Sequence, residues 1–153
     1  MENSRGLQEK IKRHAFLLLK FRLRSEQELL RRLLAKKYPE SEVKKVILFL
    51  KEKGFVDDTI FARNWSNSRL RKPFGLRRIR QELQFKGIDK KLIDEELERI
   101  KKDYPEQEIV SRIVKERLVK LKGIDPFKAK ARLYGYLIRR GFSPDTIREV
   151  FNS

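Results

Sequence analysis

Residues 75–88 read GLRRIRQELQFKGI, and this stretch carries the signals on which the predicted fold depends. Its apolar residues Ile79 and Leu83 are four positions apart, which places them on one face of an α-helix. The closing Lys86-Gly87-Ile88 is typical of a helix that ends at a left-handed glycine, with a cation beside the negative end of the helix dipole. The stretch therefore predicts one amphipathic helix with a defined end.

The same ending recurs along the chain, with helix starts between its copies. A basic residue, a glycine and an apolar residue occur together at Lys53-Gly54-Phe55, Lys86-Gly87-Ile88, Lys122-Gly123-Ile124 and Arg140-Gly141-Phe142. Start signals are a capping box from Ser25 to Glu28, caps before proline at Asp125-Pro126 and Ser143-Pro144, further caps at Ser41 and Asp89, and Pro105 near another start. No stretch alternates apolar and polar residues, so no strand is expected.

The apolar positions also repeat at offsets of about 50 residues, which is typical of a repeat protein. Three sets align without internal gaps: Leu29, Leu33, Tyr38, Val43 and Ile47; Ile79, Leu83, Ile88, Ile93 and Leu97; and Leu133, Leu137, Phe142, Ile147 and Phe151. Helices are expected at 7–22, 25–37 and 41–53, at 58–71, 75–86 and 89–102, and at 105–122, 126–140 and 143–152.

The predicted fold is therefore all-α, with three tandem three-helix repeats at residues 1–53, 54–102 and 103–153. Because one three-helix unit buries only a small core, neighbouring repeats are expected to stack into an elongated, curved helical array. The alternative is one compact helical bundle in which the periodicity arises by chance.

Positive charge is spread over the whole chain. Its 153 residues include 39 Lys and Arg against 22 Asp and Glu, a net charge of +17. The predicted repeats carry 15 basic and 7 acidic groups, then 13 and 8, then 11 and 7. Such a field attracts polyanions, namely DNA, RNA, an acidic protein surface or an anionic membrane. The alternative is that the charge only maintains solubility.

The sequence favours a cytoplasmic protein. There is no cysteine, which excludes disulfides and thiolate metal sites. The first 13 residues lack the apolar core of a secretory signal. The longest apolar run, Ala15 to Leu19, is far shorter than the roughly 20 residues of a membrane span.

Candidate catalytic residues are few, and we expect no enzyme. The sole histidine, His14, lies beside apolar residues and is interpreted as a partly buried or surface residue. Asp57 and Asp58 are adjacent and poorly placed to share a metal ion, so capping the next helix near Thr59 is their expected role. No glycine-rich phosphate loop, nucleophile elbow or zinc-ligand spacing occurs. We expect no catalytic residue, no cofactor and no metal.

The densest basic cluster lies in the middle repeat, where one acidic residue, Glu82, accompanies eight basic ones between Arg63 and Lys86. Arginine binds phosphate with two hydrogen bonds, and free backbone N–H groups beside Gly75 would also attract an anion. Arg77 and Arg78 are predicted to point outwards, as is Phe85. The predicted nucleic-acid or filament contacts are Arg69, Arg71, Lys72, Arg77, Arg78 and Arg80, with Arg22, Arg24, Arg31 and Arg32 from the first repeat. A solvated charged face is the alternative.

The sequence resembles the RecX family of bacterial recombination regulators. The match is strongest from Gly54 to Leu97, where it rests on Gly54-Phe55-Val56-Asp57-Asp58, Phe61-Ala62-Arg63, Ser68-Arg69, Gly75 to Leu83 and Lys86-Gly87-Ile88. Arg24 to Leu29 resembles the family's first motif. The third repeat matches mainly by its apolar spacing, and Pro73 and Phe74 depart from the small or basic residues expected before Gly75.

This resemblance implies a non-enzymatic modulator of the RecA recombinase that acts in DNA repair and the SOS response. Members of the family bind the groove of the RecA filament, hinder its ATPase activity and strand exchange, and contact single- and double-stranded DNA. A basic, curved rod is compatible with that groove, and a monomer is expected. Two alternatives remain: a general DNA-binding protein of the helix-turn-helix type, and an RNA-binding helical protein.

Overall fold

The computed structural model describes residues 3–153, and this part of the chain is all-α without strands. Its helices are α1 (Ser4–Phe21), α2 (Glu26–Ala35), α3 (Glu40–Glu52), α4 (Asp58–Leu70), α5 (Leu76–Phe85), α6 (Lys90–Lys101), α7 (Glu106–Lys120), α8 (Pro126–Arg139) and α9 (Pro144–Phe151). The predicted all-α class is confirmed, and every predicted helix is present. Residues 1–2, where the first predicted repeat begins, lie outside the described part. Among residues 3–153, no helix is both long and apolar enough to cross a bilayer.

The predicted left-handed glycines are confirmed. Gly54, Gly87, Gly123 and Gly141 have φ values of 79°, 77°, 93° and 92°. After α3, α5 and α8 the glycine and the next residue donate to the last turn, as in a Schellman ending. At α5, for example, the N–H of Ile88 lies 3.1 Å from the Leu83 carbonyl oxygen. The ending after α7 is looser, because α7 stops at Lys120 and Ile124 donates only to Leu121.

One left-handed ending is built without glycine. Lys37 has a φ of 65° and follows α2 at the position that Gly87 and Gly141 hold in the other repeats. Its N–H donates to the Leu34 carbonyl oxygen at 2.9 Å, so the ending is formed despite the side chain. A Cβ atom in this conformation is strained, which makes Lys37 a local weak point.

Most predicted helix starts are confirmed. Ser25 and Glu28 form the capping box of α2, and the side chains of Asp125 and Ser143 cap α8 and α9. Ser41 is the exception. It lies in the first turn of α3, whose N-cap is Pro39, because the helix begins one residue earlier than predicted.

The chain forms two compact units, and the middle repeat is divided between them. Unit 1 comprises the residues up to Asn64 with Leu83–Leu92, and unit 2 comprises Trp65–Glu82 with Ile93–Ser153. The core of unit 1 includes Ile11, Leu29, Leu33, Val43 and Leu50, and that of unit 2 includes Val110, Leu133, Leu137, Phe142 and Ile147. All the repeated apolar positions are buried except Tyr38 and Phe151, which are half-buried. The periodicity therefore identified the core.

Within unit 1, the start of α2 contacts the end of α5. The Ser25 hydroxyl donates to the Lys86 carbonyl oxygen at 2.7 Å. Gly87 follows this carbonyl and lies directly against Gln27, since a Cβ added at Gly87 would be 2.5 Å from the Cβ of Gln27. Gly87 is thus needed for packing as well as for its φ value.

Within unit 2, the start of α5 contacts the end of α8, here through backbone N–H groups. The N–H groups of Gly75 and Arg77 donate to the carbonyl oxygens of Arg140 and Gly141, at 2.8 and 3.1 Å. A Cβ added at Gly75 would be 2.2 Å from the Gly141 oxygen, and one added at Gly141 would be 2.2 Å from the Cβ of Arg78. The carbonyl end of one helix therefore satisfies the free N–H end of another.

The start of α8 differs from these two junctions. The position that corresponds to Gly75 is Ala129, which lies inside α8 because this helix begins earlier in its repeat. The Ala129 N–H already donates to the Asp125 carbonyl oxygen at 2.9 Å, and Asp125 caps the helix with its side chain. The N–H that corresponds to the Gly75 donor is thus occupied within α8 itself.

The backbone contact at Gly75 predicts an unusual sensitivity to alanine. Gly75→Ala should lower the free energy of unfolding by about 1–3 kcal/mol, the typical effect of overpacking, because the atoms it meets are main chain. Gly135→Ala is the control: it lies inside α8, meets only the guanidinium of Arg139 at 3.1 Å, and should stabilise the helix by about 0.5–1 kcal/mol. Urea denaturation followed by circular dichroism measures both. Equal stabilities for Gly75→Ala and the wild type would contradict the contact.

The strained Lys37 predicts the opposite effect. Lys37→Gly removes a left-handed Cβ whose strain is about 1–3 kcal/mol, partly offset by the extra flexibility of glycine in the unfolded chain. We expect a net stabilisation of about 0.5–1 kcal/mol. Lys36→Gly is the matched control, because Lys36 has an ordinary φ of −84° and should lose stability. A destabilised Lys37→Gly protein would show that the residue is not left-handed in solution.

Candidate nucleic-acid interface

Glu82, the single acidic residue of the basic cluster, organises the arginines around it. Its Oε2 accepts from Nε of Arg69 at 2.7 Å and from the indole N–H of Trp65 at 2.7 Å. Its Oε1 accepts from Nε of Arg78 at 3.0 Å. Burial raises the pKa of Glu82, but the hydrogen bonds from Arg69, Arg78 and Trp65 outweigh it, so the pKa lies below its usual value. Arg69 and Arg78 therefore have internal partners.

Phe74 is the second centre of this cluster. Its ring is buried, and the guanidinium groups of Arg78 and Arg140 lie 4.2 and 4.1 Å from its centroid, with Arg69 at 5.2 Å. The Tyr104 hydroxyl donates to the Phe74 carbonyl oxygen at 2.7 Å. Cation–π contacts of this kind stabilise by about 0.5–2 kcal/mol each. The residue that departs from the expected motif is thus what holds three arginines in place.

The remaining basic residues of the cluster differ in how firmly they are held. Arg80 donates to Asp94 at 2.7 Å, and Arg71 makes a long contact of 3.4 Å to the Asn67 carbonyl oxygen. The side chains of Lys72 and Arg77 are exposed, and neither pairs with another side chain among residues 3–153. Arg71, Lys72 and Arg77 are therefore the members best placed to contact a ligand.

Two expectations about this cluster are wrong. The N–H groups beside Gly75 are not free for an anion, because Gly75 and Arg77 donate them to the end of α8. Arg78 does not point freely outwards, since it also donates to the Arg139 carbonyl oxygen at 3.2 Å. Both errors have one cause. The end of α8 packs against the start of α5, and the residues of α8 are too far away in the sequence to be considered when α5 is predicted.

The predicted residues of the first repeat divide in a similar way. Arg22 donates to Glu28 at 3.2 Å, whereas Arg31 and Arg32 are exposed and have no ion pair within the described chain. Arg24 is only 8% exposed, with its Nε 3.5 Å from the Leu18 carbonyl oxygen. Burial lowers the pKa of Arg24, and the nearby charges of Arg22 and Arg32 add to this effect. Arg31 and Arg32 are the accessible pair.

The residues considered for catalysis have structural contacts. Asp57 accepts from the N–H of Thr59 at 2.9 Å, which confirms it as the cap of α4. Asp58 accepts from the N–H of Glu26 at 2.9 Å, and burial raises the pKa of Asp58. His14 is half-buried, with Nδ1 3.4 Å from the Tyr38 hydroxyl. Within residues 3–153, no group of three or more His, Asp or Glu side chains is arranged to hold a metal ion.

Exposed aromatic side chains accompany the basic ones. Phe85 is 74% exposed at the end of α5, which confirms the prediction that it lies on the outer face. Phe21 and Phe127 are exposed by more than 80% and were not singled out by the sequence. The sequence analysis also missed the role of Phe74. Its position directly before Gly75 could have indicated it, because an aromatic residue there lies at a buried helix start.

The carboxylate of Glu28 predicts a measurable acid sensitivity. Burial raises the pKa of Glu28, but hydrogen bonds from Arg22, Lys86 and the Ser25 backbone outweigh it and lower the pKa to about 2, against an ordinary 4.5. A lowered pKa in the folded state stabilises the fold above pH 4.5, and this stabilisation is lost as the pH falls towards 2.

Glu28→Gln should therefore destabilise the protein at neutral pH by about 1.5–3 kcal/mol, the usual range for hydrogen bonds to a charged group. The difference from the wild type should shrink as the pH is lowered from 4.5 towards 2. Glu98→Gln is the control, because Glu98 is exposed and makes no ion pair in the described chain. Chemical denaturation across this pH range checks the effect, and a pH-independent difference would contradict it.

Comparison with known proteins assigns the chain to a family. Three family profiles match it: RecX, first three-helix domain, over residues 12–50; RecX, second three-helix domain, over residues 57–97; and RecX, third three-helix domain, over residues 105–151. The regulatory protein RecX of Chlorobium phaeobacteroides is 35% identical over 139 residues, which cover 90% of this chain and 89% of that protein. The three profiles thus match successive parts of the chain without overlap.

Other relatives are longer. The regulatory protein RecX of Clostridium beijerinckii is 32% identical over 141 residues, and the chain spans 65% of its length. The crystal structure of RecX from Lactobacillus salivarius shares the fold, with a TM-score of 0.83 at 18% identity over 95% of both chains. A crystal structure of another regulatory protein RecX also has a TM-score of 0.83, covering 98% of this chain and 74% of that one. By sequence and by fold, this chain belongs to the RecX family of regulatory proteins.

Proposed function

We propose that this chain regulates homologous recombination without catalysing a reaction itself, by binding DNA and the groove of the RecA filament. Bound there, it slows the ATP hydrolysis and strand exchange of RecA. The proposal starts from the regulatory family to which the chain belongs. RecA is proposed as the partner because the chain resembles that family. Phosphate binding is proposed because of the exposed positive charges of this chain.

The observation that carries the proposal is a set of exposed cations that form no ion pair within the described chain. Arg31 and Arg32 lie in unit 1, and Arg71, Lys72 and Arg77 lie in unit 2. They belong to the excess of basic over acidic groups that gives the chain its net charge of +17. Exposed arginines and lysines of this kind bind phosphates by releasing counterions, so their effect depends on salt. They suit a partner that presents nucleic-acid phosphates.

The ATPase activity of RecA on single-stranded DNA tests the proposal. Increasing amounts of this protein should slow ATP hydrolysis. Arg71→Gln/Lys72→Gln/Arg77→Gln should require about tenfold more protein for the same inhibition, which corresponds to about 1.4 kcal/mol of binding free energy. None of these side chains is buried, so the variant should keep its fold. Unchanged ATP hydrolysis at saturating wild-type protein would refute the proposed function.

A charge-matched control separates this patch from net charge. Lys90→Gln/Lys91→Gln/Lys102→Gln also removes three exposed cations from the middle repeat, none of which forms an ion pair in the described chain. It should inhibit nearly as well as the wild type. If both variants lose the same activity, only the overall charge matters. Tight binding to one DNA sequence, by roughly 10³-fold over random DNA, would instead favour a helix-turn-helix regulator.

A further inference from the structure

A cavity between α7 and α8 in the third repeat brings together four basic side chains. Arg117 and Lys120 lie on α7, and Arg132 and Arg139 lie on α8. The cavity is about 370 Å³, and its lining also includes Tyr136, Gly135 and Leu133. This volume falls within the range of small-molecule sites, about 300–1,000 Å³.

No negative charge balances these four groups. The lining contains no Asp or Glu, and none of the four side chains forms an ion pair within residues 3–153. This is the reverse of the α5 cluster, where Glu82 and Asp94 neutralise three arginines. Like charges that face one groove repel one another, so an anion that enters the groove is stabilised by all of them.

One of the four basic side chains, Arg117, is stacked on an aromatic ring. The guanidinium of Arg117 lies 3.5 Å from the centroid of the Tyr136 ring. Nη1 of Arg139 lies near Gly135, since a Cβ added there would be 3.1 Å from it. A stacked guanidinium keeps its N–H edges available for oxygen atoms. The site is therefore partly preorganised for an anion with several oxygen atoms.

We propose that this cavity binds a phosphate group, either a phosphodiester of single-stranded nucleic acid or the phosphate of a free nucleotide. Arg117 and Arg139 supply paired N–H donors from the two walls, and Lys120 and Arg132 supply further charge at the exposed rim. As a nucleic-acid site, it rests on the proposed function and adds a contact in the third repeat, which the sequence ranked below the middle one.

Binding of a fluorescently labelled oligothymidylate, measured by anisotropy over a range of salt concentrations and without RecA, tests this site. The pocket variant is Lys120→Gln/Arg132→Gln, since both side chains are exposed. Its Kd should rise about tenfold, and the slope of log Kd against log salt should fall by roughly 1.4, for two lost contacts to a single strand. Thymidine monophosphate is added as a competitor to distinguish the two sources of phosphate.

Lys115→Gln/Lys128→Gln is the matched control, because it removes two exposed cations from the same two helices outside this cavity. It should shift Kd less than about threefold and keep the salt slope. Competition by thymidine monophosphate against the wild type but not the pocket variant would support the site with a free nucleotide as ligand. A pocket-dependent affinity for the oligonucleotide without such competition would support a phosphodiester.

Equal losses in the two variants, or no loss in the pocket variant, would overturn the proposed site. That result is distinct from failure of the proposed function, which is read from the effect of the wild-type protein on ATP hydrolysis by RecA. A protein that inhibits RecA normally but has no pocket effect would retain the proposed function and lose the site. A protein whose oligonucleotide affinity depends on the pocket but which does not slow RecA would retain the proposed site and lose the proposed function.

Discussion

The contact between the end of one helix and the start of another is the constraint on which each unit depends. In unit 2 the carbonyl end of α8, which carries partial negative charge, accepts from the N–H end of α5, which carries partial positive charge. In unit 1 the Ser25 hydroxyl donates to the carbonyl end of α5. The approach is possible only because glycine stands at the point of contact, Gly87 in unit 1 and Gly75 with Gly141 in unit 2. The apolar cores of the repeats are ordinary by comparison, and many side chains of similar volume would fill them.

This contact also decides which arginines remain available. At the start of α5, Arg78 turns towards α8 and Glu82, and Phe74 collects three guanidinium groups around one ring. These side chains position the loop before Gly75 instead of projecting from it. The free charge lies on neighbouring residues such as Lys72 and Arg77, and around the cavity of the third repeat. A high density of arginine in a sequence therefore indicates a basic region. How many of its side chains can contact a ligand depends on the carboxylates and carbonyl oxygens that pack against them in the folded protein.

Much of the fold could be predicted from the sequence because its signals are local. A glycine after a basic residue, a capping box and apolar residues four positions apart each lie within one helix or one turn, and the helices, the glycine conformations and the core followed from them. Lys37 carries no such signal, because only its position relative to Gly87 and Gly141 reveals a left-handed residue. The partners of Arg69 and Arg80 lie 13 and 14 residues away on other helices, so no local pattern contains them. The same holds for Lys120 and Arg132, which lie on two helices and line one cavity.

The earlier start of α8 makes the second helix of the third repeat different from those of the first two. The Ser25 hydroxyl and the Gly75 N–H each donate to the carbonyl end of a helix that follows them in the sequence, whereas the Ala129 N–H donates to the Asp125 carbonyl oxygen at the start of its own helix. The start of α8 therefore lacks the free donor that Ser25 and Gly75 provide at the starts of α2 and α5. Four helical residues, Pro126 to Ala129, make this difference, because the corresponding residues of the middle repeat precede the start of α5 at Leu76.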